Sequence, residues 1–68
     1  MKIKQNYMWY TFSSDEIAVF NLSSNELFIL NEEFKNTFEQ LELSDGVVDE
    51  STTDIIDVLV NNEVLNIA

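Results

Sequence analysis

Two patterns of apolar and polar positions divide the chain near residue 31. Before it, apolar residues come in short dense runs separated by small polar clusters, the pattern of strands and turns. Tyr7-Met8-Trp9-Tyr10-Thr11-Phe12 is dense in aromatic and β-favouring side chains and predicts a first strand. Ser13-Ser14-Asp15-Glu16 supplies turn chemistry, Ile17-Ala18-Val19-Phe20-Asn21-Leu22 a second strand, and Ser23-Ser24-Asn25 a second turn. Glu26-Leu27-Phe28-Ile29-Leu30 is the third strand. Strands joined this closely form an antiparallel meander, in which the second is central and the first and third are edges.

After residue 31 the period becomes helical. Asn31 is a good N-cap, and Glu32 and Glu33 occupy the first turn, where the helix dipole favours anions. Leu30, Phe34, Phe38 and Leu41 fall on one face, and Lys35 and Glu39 are spaced to pair on the other. Ser44-Asp45-Gly46 predicts a stop near Leu43. Residues 47–50 form a connector, and Ser51-Thr52-Thr53-Asp54 fits a capping box for a second helix over about residues 52–62. On that helix Ile55, Val58, Leu59 and Asn62 share a face, while Ile56 and Val60 lie to one side. A helix apolar on more than one side needs more than one neighbour, the domain's own core and a second surface. The tail, residues 63–68, is a final extended or turn segment packing back. The expected class is α+β: one domain over residues 1–68, a three-stranded antiparallel sheet followed by two or three helices.

Composition narrows the function. Sixty-eight residues with 46% hydrophobic content suffice for one small core. Histidine, cysteine and arginine are absent. No thiol nucleophile exists, no side chain titrates near neutrality without perturbation, and no disulfide or thiolate metal site can form. The inventory points away from an enzyme and towards a binding module without cofactor or metal. Three lysines against thirteen acids give a net charge of −10. That charge repels nucleic acid and anionic membrane surfaces. It serves solubility, or it serves a partner segment bearing Lys or Arg; composition leaves both open. Asp45, Asp49 and Glu50 do not match the spacing of an EF-hand calcium loop. Tyr7, Trp9 and Tyr10 lack the basic neighbours of a base-stacking platform and are expected as core and strand-pair residues. No targeting segment and no apolar run of membrane-spanning length is visible, so a cytoplasmic location is expected.

Two stretches are candidate binding surfaces. Proteins guard sheet edges with Lys, Pro or bulges. Lys2 and Lys4 are placed to guard the first strand, but Glu26, Leu27, Phe28, Ile29 and Leu30 include no such residue. Alternation puts Phe28 and Leu30 on the core face and Leu27 and Ile29 on the other, where they are either ordinary sheet residues or ligand contacts. On the last helix Asp54, Asp57 and nearby Glu63 lie beside Ile55, Ile56, Val58 and Val60. Those acids edge either a solvated face or an apolar groove suited to a basic amphipathic peptide.

The order of these elements resembles the PqqD-like recognition element of ribosomally synthesised, post-translationally modified peptides. The resemblance is carried by Asp15-Glu16-Ile17-Ala18-Val19-Phe20-Asn21-Leu22 and Asn25-Glu26-Leu27-Phe28-Ile29-Leu30-Asn31-Glu32-Glu33-Phe34. Leu30-Asn31 at the strand-to-helix junction is its most specific part. Phe38-Glu39-Gln40-Leu41, Asp45-Gly46 and residues 54–65 continue it. One departure stands out: the short middle helix usual after Asp-Gly has only residues 47–53 available, so it is reduced to a turn or missing. The resemblance implies a winged-helix-like domain that takes the leader of a precursor peptide as an added strand beside the third strand. Leader side chains would rest on the last helix, and the leader would be presented to a modifying enzyme. Two other functions fit the architecture or the charge: a winged-helix DNA-binding regulator, and a small acidic inhibitor or DNA mimic.

Overall fold

A computed structural model describes all residues, 1–68. Strands β1 (Tyr7–Ser13), β2 (Glu16–Asn21) and β3 (Glu26–Asn31) form an antiparallel sheet in the order β1-β2-β3. Helices α1 (Lys35–Leu43) and α2 (Thr53–Asn61) follow, each entered through a single 3-10 turn, Glu32–Phe34 and Glu50–Thr52. The architecture is α+β, a meander followed by two α-helices, and β2 is the central strand as expected. The residues expected to house a middle helix form only the second 3-10 turn.

One core lies between the sheet and the helices. Ile17 and Val19 of β2, Phe38 and Leu41 of α1, Ile56 and Leu59 of α2, and Ile3, Val64 and Leu65 of the two ends are all buried in it. Phe38 is its centre: its ring meets Tyr7 edge-on at 5.6 Å and Trp9 at 5.7 Å. The Trp9 Nε1–H donates to Glu42 Oε1 at 2.6 Å, which ties β1 to the outer side of α1. Burial, and secondarily the Glu42 carboxylate, push the Tyr7 hydroxyl above its ordinary value. Tyr10, expected among the core aromatics, lies on the opposite face of β1 and is half exposed, because it is one residue out of phase with Trp9.

Asn31 caps the first helical segment as its position predicts, its Oδ1 accepting from Glu33 N–H at 3.0 Å. The second cap differs from expectation. Ser51 makes no capping bond to the helix. Asp49, two residues earlier, accepts from the Ser51 N–H at 2.9 Å and the Ser51 hydroxyl at 3.0 Å. The 3-10 turn shifts the start of the helix, so the cap belongs to the residue before that turn. These two bonds hold the Asp49 carboxyl below its ordinary value.

The ends of the chain are sewn into the fold. Ile3 N–H donates to Gly46 C=O, Lys4 N–H to Asn66 C=O, and Ala68 N–H to Lys2 C=O, at 2.7–2.9 Å. Lys2 and Lys4 therefore pair with the interhelical loop and the tail rather than guard β1. Gly46 has φ +89°, and an added Cβ would collide with the Ile3 carbonyl, so the turn and the close approach both require glycine. Asn21 links sheet to tail. Its buried amide donates to the carbonyls of Glu63 and Val64, both at 3.2 Å, and to Asn66 Oδ1 at 3.0 Å. Its Oδ1 accepts from the N–H groups of Ser23 and Ser24 in the β2–β3 turn. Asn21→Ala strands several of these groups and should destabilise the domain by about 1–3 kcal/mol in urea unfolding. A loss below about 0.5 kcal/mol would mean that water replaces the side chain at no cost.

Candidate functional site

The third strand is a true edge, and its backbone can be sorted residue by residue. In an antiparallel sheet successive residues of a central strand bond to opposite neighbours. Leu22 N–H, just past β2, donates to Asn6 C=O at 2.8 Å on the β1 side. Asp15 C=O, just before β2, accepts from Glu32 N–H at 2.9 Å on the β3 side. Even-numbered residues of β2 thus address β1, and Ile17, Val19 and Asn21 address β3. Their register partners are Leu30, Phe28 and Glu26. The N–H and C=O groups of Leu27 and Ile29 consequently point away from the sheet, along an edge that no other segment pairs with.

Side chains of this strand divide as alternation predicts. Phe28 and Leu30 are half-buried against the core. Leu27 and Ile29 lie on the outer face, 54% and 42% exposed. Glu26 is exposed at the start of the strand, opposite Asn21. No Lys, Pro or bulge interrupts the edge. The other edge, β1, also shows backbone to solvent, but its register shifts between Thr11 and Ser13. Such irregularities twist an edge out of line for further pairing.

The α2 candidates separate. Asp54, Ile55, Asp57 and Val58 are exposed, and Ile55 and Val58 form an apolar strip flanked by the two acids. Val60 is half-buried against the core. Ile56 has no exposed surface and packs in the core, so on this helix it is a structural residue and not a surface contact. It is one step from Ile55, and a step of about 100° carries it from the open side to the core side. Ile56 and Leu59 of α2 lie in the core, Phe28 and Leu30 of β3 pack against it, and no hydrogen bond joins the two elements.

Two features were not singled out from the sequence. One is a cleft of about 500 Å³ between the end of α1 and the connector, lined by Thr37, Gln40, Ser44, Val48, Asp49 and Thr52 among others. Its one carboxylate, Asp49, is already engaged as a helix cap. The other is the outer face of the sheet, where Met8, Phe20 and Leu27 share one cross-strand row and Tyr10, Ala18 and Ile29 the next. The signal was present: residues 7–10 and 17–20 are aromatic or aliphatic at consecutive positions, which marks a strand apolar on both faces. No helix is long and apolar enough to cross a membrane. No family model, no curated protein and no solved structure matches the chain.

Proposed function

We propose that this domain is a non-catalytic peptide-binding module that takes the leader of a ribosomally made precursor peptide as a fourth strand on β3 and presents it to a modifying enzyme. The observation that carries this reading is the edge: Leu27 and Ile29 aim unpaired N–H and C=O groups outwards on a strand without guards. Strand addition draws its affinity from such groups and its specificity from alternate side chains. An added strand would set one row of side chains beside Phe28 and Leu30 and the other beside Leu27 and Ile29. The resemblance of residues 15–34 to the PqqD-like element supports a leader as the peptide. The exposed Asp54-Ile55-Asp57-Val58 surface supports Lys or Arg among its side chains.

The test is calorimetric titration with leader peptides encoded by reading frames neighbouring this one, from low to high salt. Affinity should fall as salt rises, because screening weakens attraction between a basic peptide and a chain of charge −10. Asp57→Asn keeps the shape and removes one charge; it should weaken binding by about 0.2–1 kcal/mol and flatten the salt dependence. Affinity that stays flat or rises with salt would contradict the basic-peptide part of the reading.

A further inference from the structure

The outer face of the sheet carries an apolar surface that the peptide reading does not use in full. Met8, Tyr10, Phe12, Leu27 and Ile29 each keep between 42% and 58% of their surface exposed. Between them Ala18, although on the solvent side, is completely covered. Its register neighbours Tyr10 and Ile29 flank it, so the large side chains already close into one continuous surface.

We propose that this face is the interface of a homodimer in which two copies pack sheet against sheet about a twofold axis. Three observations favour a second copy as the occupant. The first is charge. Two chains of net charge −10 can associate only where their acids stay apart. The rows Met8–Phe20–Leu27 and Tyr10–Ala18–Ile29 contain no charged side chain; the one acid on this face, Glu16, stands at its margin in the row beyond, where it accepts from the Ser13 hydroxyl. All acids except Asp15, Glu16 and Glu26 lie from Glu32 onwards, in and around the helical layer behind the sheet. The second is self-complementarity: two uncharged apolar rows match their own copy, as an isologous contact requires. The third is area. Five half-exposed large side chains offer on the order of 100 Å² each, so a pair buries about 1,000 Å², the lower bound for a specific interface. The dimer is therefore weak and concentration-dependent. Sheet-on-sheet packing leaves the edge of β3 open, so the proposal stands independently of the peptide reading.

The experiment is sedimentation equilibrium of the full chain from low to high micromolar concentration, at low and high salt. The mass should move from one copy to two as concentration rises. The transition should shift to lower concentration in high salt, where repulsion between the acidic layers is screened. Met8→Glu and, separately, Tyr10→Glu place a charge inside one row each, at positions half exposed in the single copy. Both should keep the wild-type circular dichroism spectrum and weaken dimerisation by about tenfold or more. Leu43→Glu, on the exposed side of α1, should dimerise like wild type. A single copy at every concentration and salt would overturn the proposal. So would wild-type dimerisation of both Met8→Glu and Tyr10→Glu, or loss of the dimer in Leu43→Glu alone.

Discussion

Proline at position 29 should leave the domain folded and weaken leader binding by about tenfold or more, a loss of about 1.4 kcal/mol. The Ile29 N–H points to the free edge, so its removal breaks no bond of the β2–β3 ladder, and edge strands tolerate proline where the N–H faces solvent. It does remove a donor from the row that an incoming strand would use. Phe28→Pro is the matched control. Phe28 N–H faces Val19 in the ladder, and its ring packs on the core, so this variant should lose the cooperative melt. Thermal melts followed by circular dichroism, with calorimetry on the folded variant, separate the two effects. Unchanged affinity in a folded Ile29→Pro protein would exclude β3 as the docking edge.

Phe38→Ala should remove a large share of the domain's stability at 25 °C. Removing a fully buried phenylalanine costs about 3–5 kcal/mol, and a domain of this size holds only about 3–10 kcal/mol in total. The cost falls at the high end because Phe38 supports Tyr7 and Trp9 together, and neither ring can collapse into the gap without leaving β1. Phe38→Leu keeps most of the volume and should cost less than half as much. Urea unfolding read by Trp9 fluorescence gives both values. A Phe38→Ala protein within about 1 kcal/mol of wild type would show that the sheet and helices do not depend on this contact.

The strands and the first helix were legible because each carried its own punctuation. Ser-Ser-Asp and Ser-Ser-Asn end the first two strands, and Asn31 begins the helical segment with the capping bond its residue type predicts. The second helix was legible in extent but not in its cap. A Ser51 cap would take the N–H of Thr53 or Asp54, whereas Asp49 takes the N–H of Ser51 itself, and the intervening 3-10 turn decides between the two starts. The Asn21 network was invisible for a different reason. Its partners Glu63, Val64 and Asn66 are more than 40 positions away, and no local pattern connects them.

The candidate site was half legible. The absence of Lys and Pro from residues 26–30 can be read directly, and so can alternation. Which residues present backbone to the edge depends on hairpin register, and the two turns set that register. The same information assembles Met8, Phe20 and Leu27 into one row. Read strand by strand, those residues have no common face. Ile56 shows the converse: on a helix with apolar residues at five of its nine positions, periodicity alone does not choose the buried side, and packing in the shared core does.

The central claim is that β3 accepts a strand, and amide hydrogen exchange with residue resolution tests it most directly. In the free domain the N–H groups of Leu27 and Ile29 should exchange rapidly while those of Phe28 and Leu30 are protected by β2. On titration with a neighbouring-frame leader peptide, Leu27 and Ile29 should become protected together, at the concentration where calorimetry reports saturation. Saturation that leaves both amides exchanging freely, with new protection confined to the β1 edge at Tyr7, Trp9 and Thr11 or to the helices, would contradict the account.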